Sequence, residues 1–234
     1  MRSGKTTWVT FLLIVTAFFA QAADSKELVF LSWPDYMDPE LLIEFKQRTG
    51  ITVKQSYFDS DTARGELLLN SIEPRELKEA EALLQAQAPA VATYRYISLN
   101  EDSALLSGQI AMSMMYNGDT RILQEYSDNI VFVLPEEGGN IWTDYLSVLS
   151  ASSNKADAKR FINFLNEPEI AAQLAQYVHY ATPNQAAEAL LPASFKEDPV
   201  IYPSAEALEH SEAYQRLPPR AQKNRAAIFS RIVY

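Results

Sequence analysis

Two short stretches of the sequence place aromatic rings beside a carboxylate. Residues 142–145 read Trp-Thr-Asp-Tyr and follow a Gly138-Gly139 pair, which predicts a tight turn before an extended run. Side chains alternate along a strand, so Trp142 and Asp144 are expected on the same side of that run. A ring face beside a carboxylate suits an organic ammonium ion, through cation–π attraction and a charge-assisted hydrogen bond. Plain strand packing is the alternative interpretation of one such pair.

The second stretch, residues 32–36, repeats this combination near the start of the chain. It reads Ser-Trp-Pro-Asp-Tyr and offers Trp33, Asp35 and Tyr36 as candidate binding residues. Because the combination occurs twice, binding of a cationic compound and simple packing are equally supported interpretations. Aromatic walls with paired carboxylates also suit sugars, so Asp35 with Asp144 could imitate a glycosidase pair. We keep an exported carbohydrate-active enzyme as an alternative.

Other sequence motifs give little support for catalysis or for a cofactor. The two histidines, His179 and His210, lie far apart and belong to no metal-ligand motif. The Gly138-Gly139 pair precedes a predicted strand rather than a helix, which disfavours phosphate binding. We therefore expect no catalytic residues, no metal site and no cofactor.

The composition is that of an acidic, exported globular protein. Arg2 and Lys5 precede an apolar run over 8–19 and the small residues Ala20-Gln21-Ala22, so residues 1–22 are predicted to be a cleavable signal peptide. An uncleaved N-terminal anchor is the alternative. The formal net charge of −10 disfavours nucleic acid and anionic membranes as partners and suits a cationic ligand. With no cysteine, stability must come from a packed core.

Periodicity and capping residues predict an α/β fold. A strand over 27–32, a helix with Asp38 as N-cap and Gly50 as C-cap, and a strand over 51–57 predict a parallel βαβ unit. The further strands are expected at 91–98, 109–116 and 130–134, and the further helices at 74–87, 101–108, 121–126, 154–165, 168–178 and 220–233.

Four segments together resemble the bacterial periplasmic polyamine-binding proteins, the spermidine/putrescine-binding subunits of ABC importers within the extracellular solute-binding family. They are residues 32–36, 115–119, 136–144 and 180–184. The resemblance implies a two-lobed, type II periplasmic-binding-protein-like α/β fold that closes on its ligand. It also implies a set of ligand-binding residues in the cleft, with aromatic rings around the polyamine methylenes and acids on the amines: Trp33, Asp35, Tyr36, Tyr116, Trp142, Asp144, Tyr180 and Gln215.

Compared with that family, the sequence resembles an internally deleted member. The missing block is expected near residues 67–71, so that part of lobe 1 and the start of lobe 2 are absent. We expect lobe 1 to comprise residues 23–70 and 143–190, and lobe 2 to comprise 71–142 and 191–234. Loss of central strands exposes backbone groups and apolar area, so we expect an aggregation-prone or partly molten chain that binds weakly.

The resemblance also implies partners and a location. The ligand would be a polyamine such as spermidine or putrescine, and the protein would be a periplasmic monomer. Its partner would be either the permease subunits of an ABC importer or a membrane signalling protein that senses the liganded form. The sequence leaves these two roles open.

Overall fold

The computed structural model describes residues 26–57, 74–213 and 217–233. The predicted signal peptide at 1–22 and the predicted deletion point at 67–71 lie outside these ranges. Every helix within the ranges is too short or too polar to cross a membrane. In chain order the elements are β1 (Lys26–Ser32), α1 (Pro39–Thr49), β2 (Ile51–Tyr57), α2 (Pro74–Gln87), a 3-10 turn (Ala88–Ala90), α3 (Asn117–Gln124), β3 (Asn140–Ile141), α4 (Lys155–Leu165), α5 (Pro168–Val178), α6 (Gln185–Glu188), α7 (Ala193–Lys196), β4 (Glu212–Ala213) and α8 (Pro219–Val233).

The predicted βαβ unit is confirmed. Strands β1 and β2 pair in parallel along their whole length, and α1 connects them. The Asp38 side chain caps α1 by accepting a hydrogen bond from the Glu40 N–H at 2.9 Å. Gly50 ends the helix in the left-handed conformation, with φ 72°, and its N–H donates to the Lys46 carbonyl at 2.8 Å.

This unit packs against two helices, α4 and α5, that lie about a hundred residues further along the chain. The Phe161 ring of α4 meets the rings of Phe30 and Phe45 edge-on, at centroid distances of 5.3 and 5.0 Å. The Phe45 ring also contacts the Phe164 ring at 5.2 Å. The buried members of this core come from β1, α1, β2, α4 and α5 and from the β1–α1 connection: Leu28, Met37, Leu41, Phe45, Ile51, Phe161, Phe164, Leu165 and Ile170.

The two longest helices form a separate small contact. Leu77 of α2 and Ile228 of α8 are buried against each other, with neighbouring alanine, leucine and isoleucine side chains around them. The Arg231 guanidinium pairs with the Glu81 carboxylate at 2.5 Å on the rim of this contact. The predicted helices at both places are therefore confirmed, and the apolar stripe of each faces the other.

The predictions of three further strands are wrong. Within the part of the chain that the structure describes, residues 91–98, 109–116 and 130–134 join no sheet. Their backbone hydrogen bonds include short-range turns, such as the Ile130 N–H to the Ser127 carbonyl at 3.3 Å. The alternation of side chains is present, but a strand also needs a neighbouring strand to complete its hydrogen bonds. Alternation in the sequence does not supply that neighbour.

Two helix predictions also need correction. Residues 101–108 form consecutive turns rather than a helix, and the last turn ends at Gly108 with φ 72°. The helix expected over 121–126 is α3, which begins earlier, at Asn117, and ends at Gln124. The earlier start places Asp119 in the first turn of α3, where a carboxylate stabilises the positive end of the helix dipole.

Candidate ligand-binding site

Five aromatic rings lie in one continuous row, which we call the aromatic chain. Successive ring centroids are 6.1, 5.4, 5.1 and 5.9 Å apart, within the range of favourable aromatic contacts. The two central contacts are edge-on, with interplanar angles of 67° and 76°. In order, the rings of the aromatic chain are Tyr96, Tyr116, Trp142, Tyr180 and Tyr36. The structure thus brings together four candidate residues, Tyr36, Tyr116, Trp142 and Tyr180, from four separate sequence segments.

Trp142, at the centre of the aromatic chain, is positioned by the Gly-Gly turn. Gly138 has φ 91°, and a Cβ there would lie 2.1 Å from the His210 carbonyl oxygen. The Gly139 N–H donates to the Ser211 hydroxyl at 3.0 Å, and β3 pairs in parallel with β4 directly before Trp142. Any residue with a side chain at position 138 would force β4 away from this turn.

Tyr180 is positioned by the end of α5 and by a glycine in α3. His179 ends α5 in the left-handed conformation, with φ 56°, and the Tyr180 N–H donates to the Ala175 carbonyl at 3.2 Å. The Tyr180 ring then lies directly against Gly118, where a Cβ would come within 2.7 Å of ring carbons. The absence of a side chain at Gly118 lets the ring reach Trp142.

A buried carboxylate, Asp119, holds two rings of the aromatic chain by their hydroxyl groups. The Tyr180 hydroxyl donates to Asp119 Oδ1 at 2.8 Å, and the Tyr96 hydroxyl donates to Asp119 Oδ2. The Tyr96 oxygen in turn accepts a hydrogen bond from the Tyr116 N–H at 3.3 Å. Asp119 is only 7% exposed, so these donors replace much of the water that its charge would otherwise bind.

Burial determines the protonation of this cluster. It raises the pKa of the Asp119 carboxyl above its ordinary value, while the two tyrosine hydroxyls act in the opposite direction. Burial, and then the negative charge of Asp119, raise the pKa values of Tyr96 and Tyr180. Both tyrosines therefore remain protonated hydrogen-bond donors at any physiological pH.

The two predicted carboxylates occupy different surroundings. Asp144 is exposed. The pKa of Tyr36, at the end of the aromatic chain, is raised first by burial of its hydroxyl and then by the negative charge of Asp144. Asp35 is exposed in the turn between β1 and α1 and has φ 58°. The pKa of Tyr177 is raised first by burial and then by the negative charge of Asp35.

The remaining predicted residues are Trp33 and Gln215. Trp33 is half-buried directly after β1, and its carbonyl oxygen accepts a hydrogen bond from the Ser32 hydroxyl at 3.1 Å. Gln215 lies outside the described residues.

Tyr96 and Asp119 are the members of this site that the sequence interpretation missed. Tyr96 lies within the predicted strand over 91–98, and Tyr116 alone of residues 115–119 is among the predicted ligand-binding residues. The available signal was a carboxylate three residues after Tyr116, at the start of a helix.

The chain matches known proteins over most of its length. A family model described as bacterial extracellular solute-binding protein matches residues 3–203. The spermidine/putrescine-binding periplasmic protein of Escherichia coli K12 is 34% identical over 143 residues, 61% of this chain and 40% of that protein. The norspermidine sensor of Vibrio cholerae is 34% identical over 160 residues, 68% and 45% of the two chains. The putrescine-binding periplasmic protein SpuD of Pseudomonas aeruginosa is 31% identical over 205 residues, 82% and 54%. The chain therefore spans about half the length of these curated relatives.

Solved structures show the same fold. The spermidine/putrescine ABC transporter substrate-binding protein PotD of Streptococcus pneumoniae aligns with a TM-score of 0.66 at 21% identity, over 89% of this chain and 98% of that one. A structure from Listeria monocytogenes aligns with a TM-score of 0.74 at 19% identity, over 89% and 99%. The predicted two-lobed, periplasmic-binding-protein-like α/β fold is confirmed. The family is one of binding proteins rather than of enzymes, and this chain belongs to it: the family of bacterial extracellular solute-binding proteins.

Proposed function

We propose that the chain is a periplasmic receptor that captures polyamines such as spermidine or putrescine. The observation that carries this proposal is the aromatic chain, with the buried carboxylate Asp119 bonded to two of its rings and the charge of Asp144 acting on a third. The names of the curated relatives in E. coli and P. aeruginosa support the same ligand class. No step of catalysis is part of the proposal.

The chemistry of a polyamine suits this arrangement. Its methylene segments are thin and apolar and can lie against ring faces, whereas its ammonium groups need carboxylates. Each oxygen of Asp119 accepts one tyrosine hydrogen bond, which leaves further lone pairs for an ammonium donor. A partly desolvated ammonium–carboxylate contact contributes about 1.5–3 kcal/mol, and a ring beneath the cation about 0.5–2 kcal/mol.

The proposed contacts combine the candidates from the sequence with Asp119. The aromatic chain also crosses the boundary between the lobes that we propose, residues 23–70 and 143–190 against residues 71–142 and 191–234. The packing of the βαβ unit on α4 and α5 supports the first of these lobes. The proposed ligand-binding residues are Trp33, Asp35, Tyr36, Tyr116, Asp119, Trp142, Asp144, Tyr180 and Gln215.

We propose that the liganded receptor docks on the permease of an ABC importer. A second candidate is the sensing role, in which the liganded form is presented to a membrane signalling protein, and the likeness to the norspermidine sensor favours it. A pull-down from membranes in the presence and absence of spermidine separates the two roles: recovery of permease subunits supports import, and recovery of a signalling protein supports sensing.

The binding proposal is tested by calorimetric titration with spermidine, with a neutral diol of the same chain length as the matched ligand. We expect heat from spermidine and none from the diol. Asp144→Asn should weaken binding about tenfold, which corresponds to about 1.4 kcal/mol. The control Asp128→Asn removes an exposed carboxylate from a turn and should leave binding unchanged. Equal affinity of Asp144→Asn and the wild type would remove Asp144 from the site.

A further inference from the structure

The connection between β1 and α1, residues 33–38, carries three of the proposed ligand-binding residues and lies against α5. The Gln173 side-chain amide of α5 donates a hydrogen bond to Asp38 Oδ2, at the end of the connection, at 2.9 Å. The Tyr36 ring contacts the ring of Tyr180, which follows the end of α5, at a centroid distance of 5.9 Å. The connection is therefore held at both of these points by residues of α5 or its end.

The Asp38 carboxylate has a different partner on each oxygen. Its Oδ1 accepts the hydrogen bond from the Glu40 N–H that caps α1, and its Oδ2 accepts the one from Gln173. Asp38 is only 7% exposed, so water cannot readily replace a donor that is lost. The position of the carboxylate on α5 thus depends on the Gln173 amide.

Between the two points of contact, the connection turns at Asp35, which has φ 58°. Tyr177 lies one helical turn after Gln173 and on the same face of α5. Burial, and then the negative charges of Asp35 and Asp38, raise the pKa of the Tyr177 hydroxyl. The turn that carries Asp35 therefore lies near the same face of α5 that holds Asp38.

We propose that Gln173 is a positioning residue for the ligand site. Its hydrogen bond to Asp38 fixes the β1–α1 connection on α5, and this determines where Asp35 and Tyr36 meet the ligand. Gln173 acts through Asp38 and needs no contact of its own with the ligand. This role rests on the proposed polyamine binding, because Asp35 and Tyr36 are proposed ligand contacts.

Calorimetric titration with spermidine at neutral pH compares Gln173→Leu with the wild type. Leucine donates no hydrogen bond, so Asp38 loses a donor, and the affinity should fall at least about threefold. The matched control is Gln176→Leu, in the same helix, because the Gln176 amide donates only to the Ala172 carbonyl of α5, at 3.1 Å. This control should bind spermidine as the wild type does. Unchanged affinity in Gln173→Leu, or equal weakening in the control, would overturn the proposal.

Gln173→Glu separates positioning from a general loss of folding. At neutral pH the new carboxylate faces Asp38, and because the like charges repel, spermidine should bind weakly. As the pH falls, the two carboxyl groups share a proton and regain a hydrogen bond, so the affinity relative to the wild type should rise. Comparison with the wild type at each pH removes the effects of Asp35, Tyr177 and Asp119, which are present in both proteins. Gln173→Leu should show no such recovery, and a constant ratio for Gln173→Glu would contradict the proposed role.

Amide hydrogen exchange of the ligand-free chain tests the same role without any ligand. Gln173→Leu should speed exchange over 35–38 and leave α2 unchanged, whereas Gln176→Leu should change neither region. A wild type that binds no spermidine would overturn the proposed function, and the exchange result would still decide the role of Gln173. Unchanged exchange over 35–38 in Gln173→Leu would overturn that role whatever the ligand is.

Discussion

The βαβ unit differs from residues 109–116 and 130–134 in what surrounds its backbone. In the unit, β1 pairs with β2, and the inner face of the pair is covered by α1 and α4. Along 109–116 and 130–134, similar apolar residues alternate, but these residues join no sheet within the described ranges, and Met112, Met114, Val131 and Val133 stay largely exposed. A periodic sequence therefore determines which side chains share a face. Whether that face becomes part of a sheet depends on a neighbour.

The βαβ unit also has one exposed apolar face. Val29 and Leu31, on the face of β1 opposite the core, are 66% and 58% exposed. One face of the small sheet is thus closed, and the other is as open as residues 130–134. The contrast between the regions concerns the closed face, and substitutions on that face should have the largest effects.

A matched pair of leucine truncations gives the largest expected difference between the regions. Leu41 is fully buried in α1, whereas Leu149 is 78% exposed. Leu41→Ala should lower the free energy of unfolding by about 2–5 kcal/mol, because it removes buried contacts and leaves a cavity. Leu149→Ala should change it by less than about 0.5 kcal/mol. Urea melts followed by circular dichroism measure both values, and similar losses would mean that the closed core does not dominate stability.

A smaller effect is expected at Gly118, where α3 lies against the end of α5. Gly118→Ala puts a Cβ 2.7 Å from the Tyr180 ring and 2.8 Å from the Val178 carbonyl oxygen. We expect a loss of about 1–3 kcal/mol and a changed near-ultraviolet spectrum, because Tyr180 packs on Trp142. Gly108→Ala is the control, since a Cβ there meets open space. It should cost about 1 kcal/mol through its positive φ alone and leave the spectrum intact. An unchanged spectrum in Gly118→Ala would contradict the described packing.

The smallest effect concerns the pH dependence contributed by Asp119. Its pKa is raised in the folded chain by burial, so protonation favours the folded state. The stabilisation from the protonated form is complete below the unfolded pKa and is lost as pH rises through the higher folded value. Asp119→Asn should flatten the pH dependence of the urea midpoint across that window, between the unfolded and the raised folded pKa of Asp119. The exposed control Asp128→Asn should keep the wild-type profile, and an identical profile for Asp119→Asn would place the titration elsewhere.

Local signals predicted the elements that depend on local chemistry. Asp38 and Gly50 determine where α1 begins and ends, and the stripe of Phe161 and its neighbours identifies α4. The predicted strand at 130–134 failed because its pairing depends on residues distant in the sequence. For the site, Trp142 and Asp144 could be proposed from spacing. The hydrogen bonds of Tyr96 and Tyr180 to Asp119 could not, since they join three segments that only the fold brings together.

The predicted weak folding of the shortened chain remains a prediction. A well-packed core in the βαβ unit, beside residues 109–116 and 130–134 that join no sheet in the described part of the chain, is consistent with folding of one region and local opening of the other. Size-exclusion chromatography and thermal melts with and without spermidine test it. A sharp peak and a melt raised several degrees by the ligand would show that the chain folds and binds well.

The central claim is that the aromatic chain with its carboxylates is the ligand site. Amide hydrogen exchange with and without spermidine tests it most directly, since it reports on each segment separately. We predict that spermidine slows exchange over 116–119, 142–144 and around Tyr180, and leaves exchange over 130–134 and in α2 unchanged. Protection that appears elsewhere, or none at all at saturating spermidine, would contradict the claim.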